Sequence, residues 1–434
     1  MSAICLVRYL LCFICPLIAA KPTPINTLPI PAVCIVPVSD LMSKNLDPQP
    51  GKSMEELYQA MPETPSTDES VLFCRITQLL YNEQVTILDT QDDQVLVETE
   101  FWHFKPSPSG KKQIKNNCFW MLQKDVCPLS KLPKEYTNSL PSTLGTHIHI
   151  PNLYKEHKNS LPGSLAAPTK AQLLAYQNAR SNNKQPHTRA PKALNTKSTQ
   201  LIVGLKNSWK CPETEDLFSA GTRFVVAEPI HDKKQYTVSI FNPRTNQMVS
   251  SSIPTKLCVI EKKRTEQEQR KLLVEILENW AHTTPPMPYI LGGASTGDTN
   301  DQAMRPHRGL DCSGLVRRAC RLVGIPVTAT NSLSLTDFFK PLAAHTMPQK
   351  GDLLYWNGHI IFITNTKKHL LIEARGKNQG YGHVHETHFS KQLQNMRTTH
   401  DLVKVYSQNR PVNRLNKKGA IHKQIQKIIL LKLI

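Results

Sequence analysis

The amino-acid sequence predicts an α+β fold in which two small β-rich units precede a larger unit of helices and strands. Short apolar segments separated by polar turns recur before residue 261, and this pattern is typical of small antiparallel sheets. Apolar residues follow a helical period over 262–280, and a second helical pattern begins at Cys312. A chain of 434 residues is too long for one ordinary domain, so two or three domains are expected.

The first β-rich unit is predicted over residues 70–130. It follows a proline-rich extended segment over 21–69, which carries one short helix near Met54. A polar turn over 89–93 separates two of the strand candidates. The strands of this unit are predicted at residues 71–74, 84–88, 94–98 and 119–122.

A linker region rich in Pro, Asn, Ser and Lys is predicted over 131–198, and a second β-rich unit follows over 199–261. Its strands are predicted at residues 201–203, 222–226 and 236–241. The helix over 262–280 then leads into a third unit over 262–407. The apolar face of this helix consists of Leu272, Leu273, Ile276, Leu277 and Trp280.

The first 20 residues have the pattern of a secretory signal peptide. Arg8 gives a charged start, and an apolar run over 9–18 precedes a small-residue cut before Lys21. The run is too short for a comfortable membrane span. A bulky apolar residue stands at the third position before the cut, so an uncleaved anchor remains the alternative. With either outcome the protein is expected to be exported to the periplasm or cell envelope.

The C-terminal segment over 408–434 is predicted to be a basic tail. Its last part, over 421–434, could form an amphipathic helix that contacts a membrane or wall surface. A frayed tail is the alternative, and the sequence leaves both open.

The chain is strongly basic, with 53 Lys+Arg against 34 Asp+Glu and a formal charge of +19. Such a charge favours solubility and diffuse affinity for anions. The basic residues are scattered and match no nucleic-acid-binding fingerprint, so no nucleic acid is expected as a partner. The oligomeric state stays open.

The cysteines suit an exported protein. Three of the eleven lie in the predicted signal peptide, and some of the others could pair in an oxidising environment. Cys118 with Cys127, and Cys211 with Cys258, are candidates by proximity, although connectivity cannot be read from a sequence. Cys320 is predicted to be a buried apolar residue. No C-x-x-C spacing follows the signal peptide, so the sequence predicts no metal site and no cofactor.

One cysteine and one histidine have the chemistry of a hydrolase. Cys312 stands where the second helical pattern begins, and His359 starts an apolar strand pattern further along the chain. The positive field at a helix N-terminus stabilises a thiolate, which is the attacking form of cysteine. A histidine can take the thiol proton and later protonate a leaving amine. The other histidines of this unit are expected to be solvated, namely His282, His307, His345, His369, His383, His385 and His388.

Residues from about 280 to 405 resemble the catalytic domain of the NlpC/P60 cysteine peptidases of bacterial cell walls. The resemblance lies in Pro-Tyr-Ile-Leu-Gly-Gly over 288–293, Asp-Cys-Ser-Gly over 311–314 and Gly-Asp-Leu over 351–353. The segment over 77–85 is similar to a bacterial SH3 module. The resemblance implies a papain-like NlpC/P60 catalytic domain preceded by two small SH3-like β-barrels, as in three-domain γ-D-glutamyl-L-diamino acid endopeptidases.

The same resemblance implies roles for further residues. The family usually supplies a second histidine to orient the catalytic one, and Glu373 stands at that position here. Tyr289 matches a tyrosine near the thiol. Asp311, Ser313 and Glu83 match residues that hold the free amine of an N-terminal L-alanine in the three-domain relatives.

We therefore expect a cysteine peptidase that cleaves the bond between γ-D-glutamate and a diamino acid in peptidoglycan stem peptides. Cys312 would be the nucleophile, and its backbone N–H would be a donor to the oxyanion. Two alternatives remain: an inactive wall-binding protein, favoured by the family departures at Leu291 and Glu373, and an amidase or acyltransferase on the same fold. The diamino acid, diaminopimelate or lysine, also stays open.

Overall fold

The computed structural model describes residues 28–60, 75–99, 117–140, 201–227, 234–296 and 308–434. The predicted signal peptide, the strand candidate at 71–74 and most of the predicted linker lie outside these residues. Within them the chain folds as a mixture of antiparallel sheets and α-helices. No described helix is both long and apolar enough to cross a membrane.

The N-terminal module is one antiparallel sheet with a short helix, and its described strands run in the order β3-β2-β6-β5-β4-β1-β7. The described strands do not close into a barrel, because β3 and β7 lie at the two edges. Its elements are β1 Ile30–Cys34, β2 Val38–Met42, α1 Met54–Gln59, β3 Arg75–Leu80, β4 Gln84–Gln91, β5 Gln94–Glu98, β6 Cys118–Leu122 and β7 Val126–Pro128.

Two of these strands correct the prediction for residues 21–69. That segment was predicted to be extended and to precede the first β-rich unit, but β1 pairs with both β4 and β7, and β2 pairs with β3 and β6. The partners are distant in the chain, so local pattern does not reveal the pairing. The short helix near Met54 is confirmed, and Ser53 and Glu56 form a capping box at its start.

The second module is built from short antiparallel pairs around an aromatic core. The strands predicted near 201, 222 and 236 are confirmed as β8, β11 and β12. Trp209, Phe218 and Phe224 pack together with Tyr81, which comes from the N-terminal module. Its elements are α2 Lys134–Ser139, β8 Ile202–Leu205, β9 Trp209–Lys210, β10 Leu217–Phe218, β11 Arg223–Val225, β12 Gln235–Asn242, β13 Gln247–Pro254 and β14 Cys258–Ile260.

The C-terminal unit packs helices on a five-stranded antiparallel sheet of order β20-β19-β18-β17-β23. Its first elements are α3 Glu266–Ala281, β15 Ala294–Ser295, β16 Gly309–Leu310, α4 Cys312–Leu322, α5 Ser332–Phe338, β17 Leu353–Trp356 and β18 His359–Asn365. The later ones are β19 Leu370–Arg375, β20 His383–His388, α6 Phe389–Gln392, α7 Thr399–Ser407, β21 Val412–Leu415, β22 Ile421–Ile425 and β23 Ile429–Leu431.

The helix α3 confirms the apolar face predicted for it. Thr265 and Glu268 form a capping box, and the helix begins at Glu266, four residues after the predicted pattern begins. Leu273, Leu277 and Trp280 are buried in the core beneath α4 and the sheet. The apolar face of α3 therefore packs in the same core as Cys312.

The end of the chain corrects the prediction of a basic tail over 408–434. Strand β23 pairs antiparallel with β17, and Leu433 N donates a hydrogen bond of 3.0 Å to Asp352 Oδ1. Strands β21 and β22 form a hairpin. The prediction of an amphipathic helix over 421–434 is wrong, because this segment forms strands and its apolar residues cover the open edge of β17. The C-terminal unit therefore extends well past residue 407.

Candidate active site

Cys312 is the first residue of α4, as the sequence predicts, and Asp311 is the N-cap of that helix. Asp311 Oδ1 accepts hydrogen bonds from Gly314 N at 2.6 Å and from Ser313 Oγ at 2.8 Å. Its Oδ2 accepts a bond of 3.0 Å from Gly292 N. The polar atoms of Asp311 and Ser313 are thus engaged in holding the helix start in place.

A glycine contact explains how close the helix start comes to the preceding loop. A Cβ atom at Gly314 would lie 2.1 Å from the carbonyl oxygen of Gly293. Only glycine allows this approach without moving the backbone. The Gly-Gly pair at 292–293 and the Asp-Cys-Ser-Gly segment at 311–314 are therefore two halves of one packed support for the thiol.

His359 is the first residue of β18 and faces Glu373 on the neighbouring strand β19. Its Nε2 lies 2.6 Å from Glu373 Oε2. An ionised carboxylate only accepts, so Nε2 carries the proton and Nδ1 keeps its lone pair. Nδ1 makes no hydrogen bond to any residue in the described ranges, so this nitrogen is available as a base.

The thiol of Cys312 reaches the same place from the helix side. The helix that it begins packs on strand β18, and Cys312 shares one buried core cluster with Ile360, the residue that follows His359. Both side chains are buried, with Cys312 9% and His359 6% exposed. The fold therefore packs the helix that Cys312 begins against the strand that His359 begins.

The charge state of the pair differs from the expected one. Burial, and then the carboxylate of Asp311, raise the pKa of Cys312 to about 12. Burial, and then the guanidinium of Arg414, lower the pKa of His359 to about 4. The resting pair is a neutral thiol and a neutral imidazole, because desolvation at this buried helix start outweighs the field of the helix.

Glu373 is fully buried within a group of basic side chains. Its Oε2 also accepts a hydrogen bond of 3.0 Å from Arg414 Nη2. Its Oε1 lies 3.3 Å from His385 Nε2 and 3.6 Å from Arg375 Nη1. Burial opposes ionisation, yet Arg414 and the two histidines hold the pKa of Glu373 well below its usual range. Behind Cys312 and His359, the third group of the candidate site is therefore an ionised carboxylate.

Sequence reasoning missed three members of this group. His385 was expected to be solvated, but it is 7% exposed and stacks on the Tyr381 ring at 4.0 Å. Arg375 stands two residues after Glu373 on one strand. Because side chains alternate between the two faces of a strand, the sequence could have predicted that these two lie on one face. Arg414 lies on a strand that the sequence did not predict. The signal that could have led to it is the need of a buried carboxylate for a cation.

Glu83, a predicted substrate-binding residue, is paired here with two arginines. Its Oε1 lies 2.7 Å from Arg318 Nη1 and 2.5 Å from Arg321 Nη1, both on α4. Leu80 N donates a further bond of 2.8 Å to Oε2. Burial opposes ionisation, but Arg318 and Arg321 lower the pKa of Glu83 to about 2. We conclude that this carboxylate clamps the N-terminal module to α4.

Tyr289 packs against the buried core cluster that contains Cys312. Burial, followed by the charge of Cys312, raises the pKa of its phenol. Its backbone N–H donates a hydrogen bond of 2.9 Å to the carbonyl of Gly382. A Cβ atom at Gly376 would lie 3.6 Å from its ring. The loop between β19 and β20 therefore supports Tyr289.

The cysteines of the described residues are free thiols. The candidate pairings of Cys118 with Cys127 and of Cys211 with Cys258 are therefore not formed. Cys320 is fully buried, as predicted. Among the described residues, no group of three or more His, Cys, Asp and Glu side chains could hold a metal ion.

A helix-start thiol beside a strand-borne histidine, with a carboxylate behind it, is the arrangement of a cysteine hydrolase. Residues 287–398 match the model of the NlpC/P60 family. This part of the chain is an NlpC/P60 family domain, and members of that family are generally cysteine peptidases that act on cell walls.

Three solved structures are similar to this chain at low sequence identity. One is the crystal structure of an NlpC/P60 family protein from Bacillus cereus ATCC 10987, with 14% identity, a TM-score of 0.47, and coverage of 82% of this chain and 93% of that one. NlpC2 from Trichomonas vaginalis has 8% identity, a TM-score of 0.28, and coverage of 83% and 93%. NlpC1 from the same organism has 9% identity, a TM-score of 0.28, and coverage of 85% and 91%. A comparison with curated proteins finds no match.

Proposed function

We propose that this protein is an exported cysteine peptidase that hydrolyses the bond between γ-D-glutamate and a diamino acid in peptidoglycan stem peptides. One observation carries the proposal. Cys312 begins a helix that packs on strand β18, and that strand begins with a histidine whose Nε2 is 2.6 Å from an ionised carboxylate. The NlpC/P60 family domain over 287–398 supports the cell-wall substrate class.

The reaction begins from the neutral pair. As Cys312 Sγ attacks the carbonyl carbon and the C–S bond forms, His359 Nδ1 takes the thiol proton. The backbone N–H of Cys312 is positioned at the helix start as a donor to the developing oxyanion. The C–N bond then breaks, and the imidazolium of His359 gives its proton to the leaving amine.

Hydrolysis of the thioester completes the cycle. A water molecule attacks the acyl carbon while His359 takes one of its protons, and the C–S bond breaks to return the thiol and release a carboxylic acid. Glu373 keeps the Nε2 proton of His359 in place and stabilises the imidazolium that forms in each half of the cycle.

The substrate class is consistent with the charge of the chain. Stem peptides carry several carboxylates, and the formal charge of the protein is +19. In this proposal the N-terminal and second modules are SH3-like wall-binding modules. Glu83, Asp311 and Ser313, which the resemblance matches to amine-binding residues, each have partners within the fold, so the proposed cleavage does not require a free N-terminal amine.

The test uses the full chain and defined muropeptides, with products identified by mass spectrometry. We expect a pair of products separated at the γ-D-glutamyl–diamino acid bond, and no products with the C312A variant. Cleavage at the sugar–peptide amide, or transfer of the acyl group to an added amine, would instead support the amidase or acyltransferase alternative. Absence of products, with Cys312 inert to iodoacetamide, would support a wall-binding protein without activity.

A further inference from the structure

Arg414 and His359 share one oxygen atom of Glu373. Nε2 of His359 is 2.6 Å from Glu373 Oε2, and Nη2 of Arg414 is 3.0 Å from the same atom. Arg414 comes from β21, beyond the end of the family match at residue 398. Its side chain is 2% exposed, and its guanidinium lies 4.9 Å from the centre of the Trp356 ring. A buried cation from the last part of the chain thus reaches the centre of the site.

We propose that Arg414 is a positioning residue, which keeps Glu373 ionised and His359 neutral, so that the β21–β22 hairpin completes the active site. The catalytic consequence rests on the proposed function, but the charge state of the two residues does not.

A buried carboxylate needs a cation to remain ionised, because its desolvation favours the protonated form. A protonated Glu373 would donate its proton in a hydrogen bond to His359 Nε2. The imidazole proton would then move to Nδ1, and that nitrogen could no longer act as the base. Arg414 is the cation that bonds to the same oxygen as His359. Its charge therefore acts directly on the number of protons that the His359–Glu373 pair holds at a given pH.

The second arginine is not an equivalent partner. Arg375 Nη1 lies 3.6 Å from Glu373 Oε1, on the other side of the carboxylate. Its guanidinium also donates to Gln379, Gln392 and the carbonyl of Leu415. These bonds hold Arg375 between the sheet and the hairpin. Its main role is therefore to join these two elements, and it does not bond to the oxygen that His359 and Arg414 share.

The charges around His359 come from several elements. The ionisable groups that act on it are Glu373 and Arg375 on β19 and Arg414 on β21, and His385 on β20 lies against Glu373, while Cys312 lies on the helix that packs on its strand. Of the arginines, Arg414 opposes protonation of the imidazole most strongly. Removing its charge should make the pair bind its next proton at a higher pH, whichever of the two residues holds that proton.

The experiment compares the full chain carrying R414M, R414K or the control R410M. Arg410 is an exposed arginine just before the same hairpin. The His359 ring signal is followed by NMR across the pH range, with its assignment taken from a His359→Gln variant. Hydrolysis of a stem peptide is followed in parallel.

We expect R414M to raise the midpoint of the His359 titration by about one pH unit or more. We also expect it to lower kcat by on the order of a hundredfold. R414K retains the charge, so its midpoint should stay near that of the unmodified protein even if R414M fails to fold. R410M should change neither quantity.

A midpoint in R414M equal to that of the unmodified protein would overturn the proposal. So would equal loss of hydrolysis in R414K and R414M with both midpoints unmoved, since that result indicates a purely structural role. If the unmodified chain hydrolyses no stem peptide, the NMR titration still decides on Arg414, and only the proposed function fails.

Discussion

His359 Nε2 and Glu373 Oε2 lie 2.6 Å apart on adjacent strands of one sheet. A carboxylate thus stands where the family resemblance predicts a second histidine. A neutral histidine at this position would only orient the catalytic ring, whereas a carboxylate also favours its protonated form. Burial, and then the charge of Arg414, offset that effect, so the resting imidazole remains neutral. The presence of Glu373 in place of a histidine is therefore offset in part by the positive charge of Arg414.

Replacement of Cys312 by alanine should abolish turnover and leave the thermal midpoint nearly unchanged, because the sulfur is the attacking atom. Peptide hydrolysis and thermal unfolding measure the two effects. C320A is the matched control, since Cys320 lies on the same helix and is 0% exposed. It should cost about 1 kcal/mol of stability and keep activity. Residual digestion of stem peptides by C312A would refute the assignment of the nucleophile.

The pH dependence of hydrolysis follows from the neutral resting imidazole. His359 accepts a proton only while it is unprotonated, so kcat/KM should fall as the pH drops through the pKa of about 4. Activity should therefore persist in mildly acidic solution. The measurement is kcat/KM for one peptide from neutral pH downward. An acidic limb near the ordinary histidine value of about 6.5 would contradict the charge state described here.

The ion pairs of Glu83 should contribute to stability in a defined pH window. Its pKa is lowered from 4.5 to about 2, so the folded state favours the carboxylate. We expect E83Q to lower the free energy of unfolding by about 3 kcal/mol near neutral pH. The difference from the unmodified protein should shrink as the pH falls below about 4.5 and vanish near 2.

Urea unfolding at several pH values measures that difference. E275Q serves as the control, because Glu275 is exposed and its nearest cation, Lys206, is 3.7 Å away. The control should change stability by less than about 0.5 kcal/mol. A loss for E83Q that is equally small, or that does not depend on pH, would mean that the clamp contributes little.

Blocking the N-terminus of the substrate should have little effect on the rate. The residues that hold a free amine in the three-domain relatives are engaged here, with Glu83 bound to two arginines and Asp311 bound to the helix start. We expect stem peptides with free and acetylated N-termini to be cleaved at rates within a factor of about three, which corresponds to less than 1 kcal/mol. A strong preference for the free amine would show that these carboxylates exchange their partners when substrate binds.

The sequence predicted the parts of the site that depend on local pattern. Cys312 at a helix start and His359 at a strand start each follow from a change of apolar period, and Glu373 followed from alignment with a family strand. The structure confirms the two element starts. Local pattern is sufficient there because capping residues and apolar alternation act within a few residues of each other.

The rest depended on contacts between distant segments. Strand β23 is only three residues long, and it becomes a strand because β17 offers it an unpaired edge. The hairpin of β21 and β22 is mostly polar and basic, so its pattern indicated a solvated tail. The neutral thiol likewise follows from the amount of protein packed around Cys312, which no local pattern reveals.

The clamp at Glu83 limits how a substrate can reach the thiol. Arg318 and Arg321 stand on the helix that Cys312 begins, and both are bound to one carboxylate of the N-terminal module. A hinge motion that swung this module outward would separate Glu83 from both arginines and so break two buried pairs of opposite charge. We therefore expect the peptide to enter while the module stays docked, with rearrangement confined to side chains and loops. Cross-linking the module to the helix should then leave turnover intact.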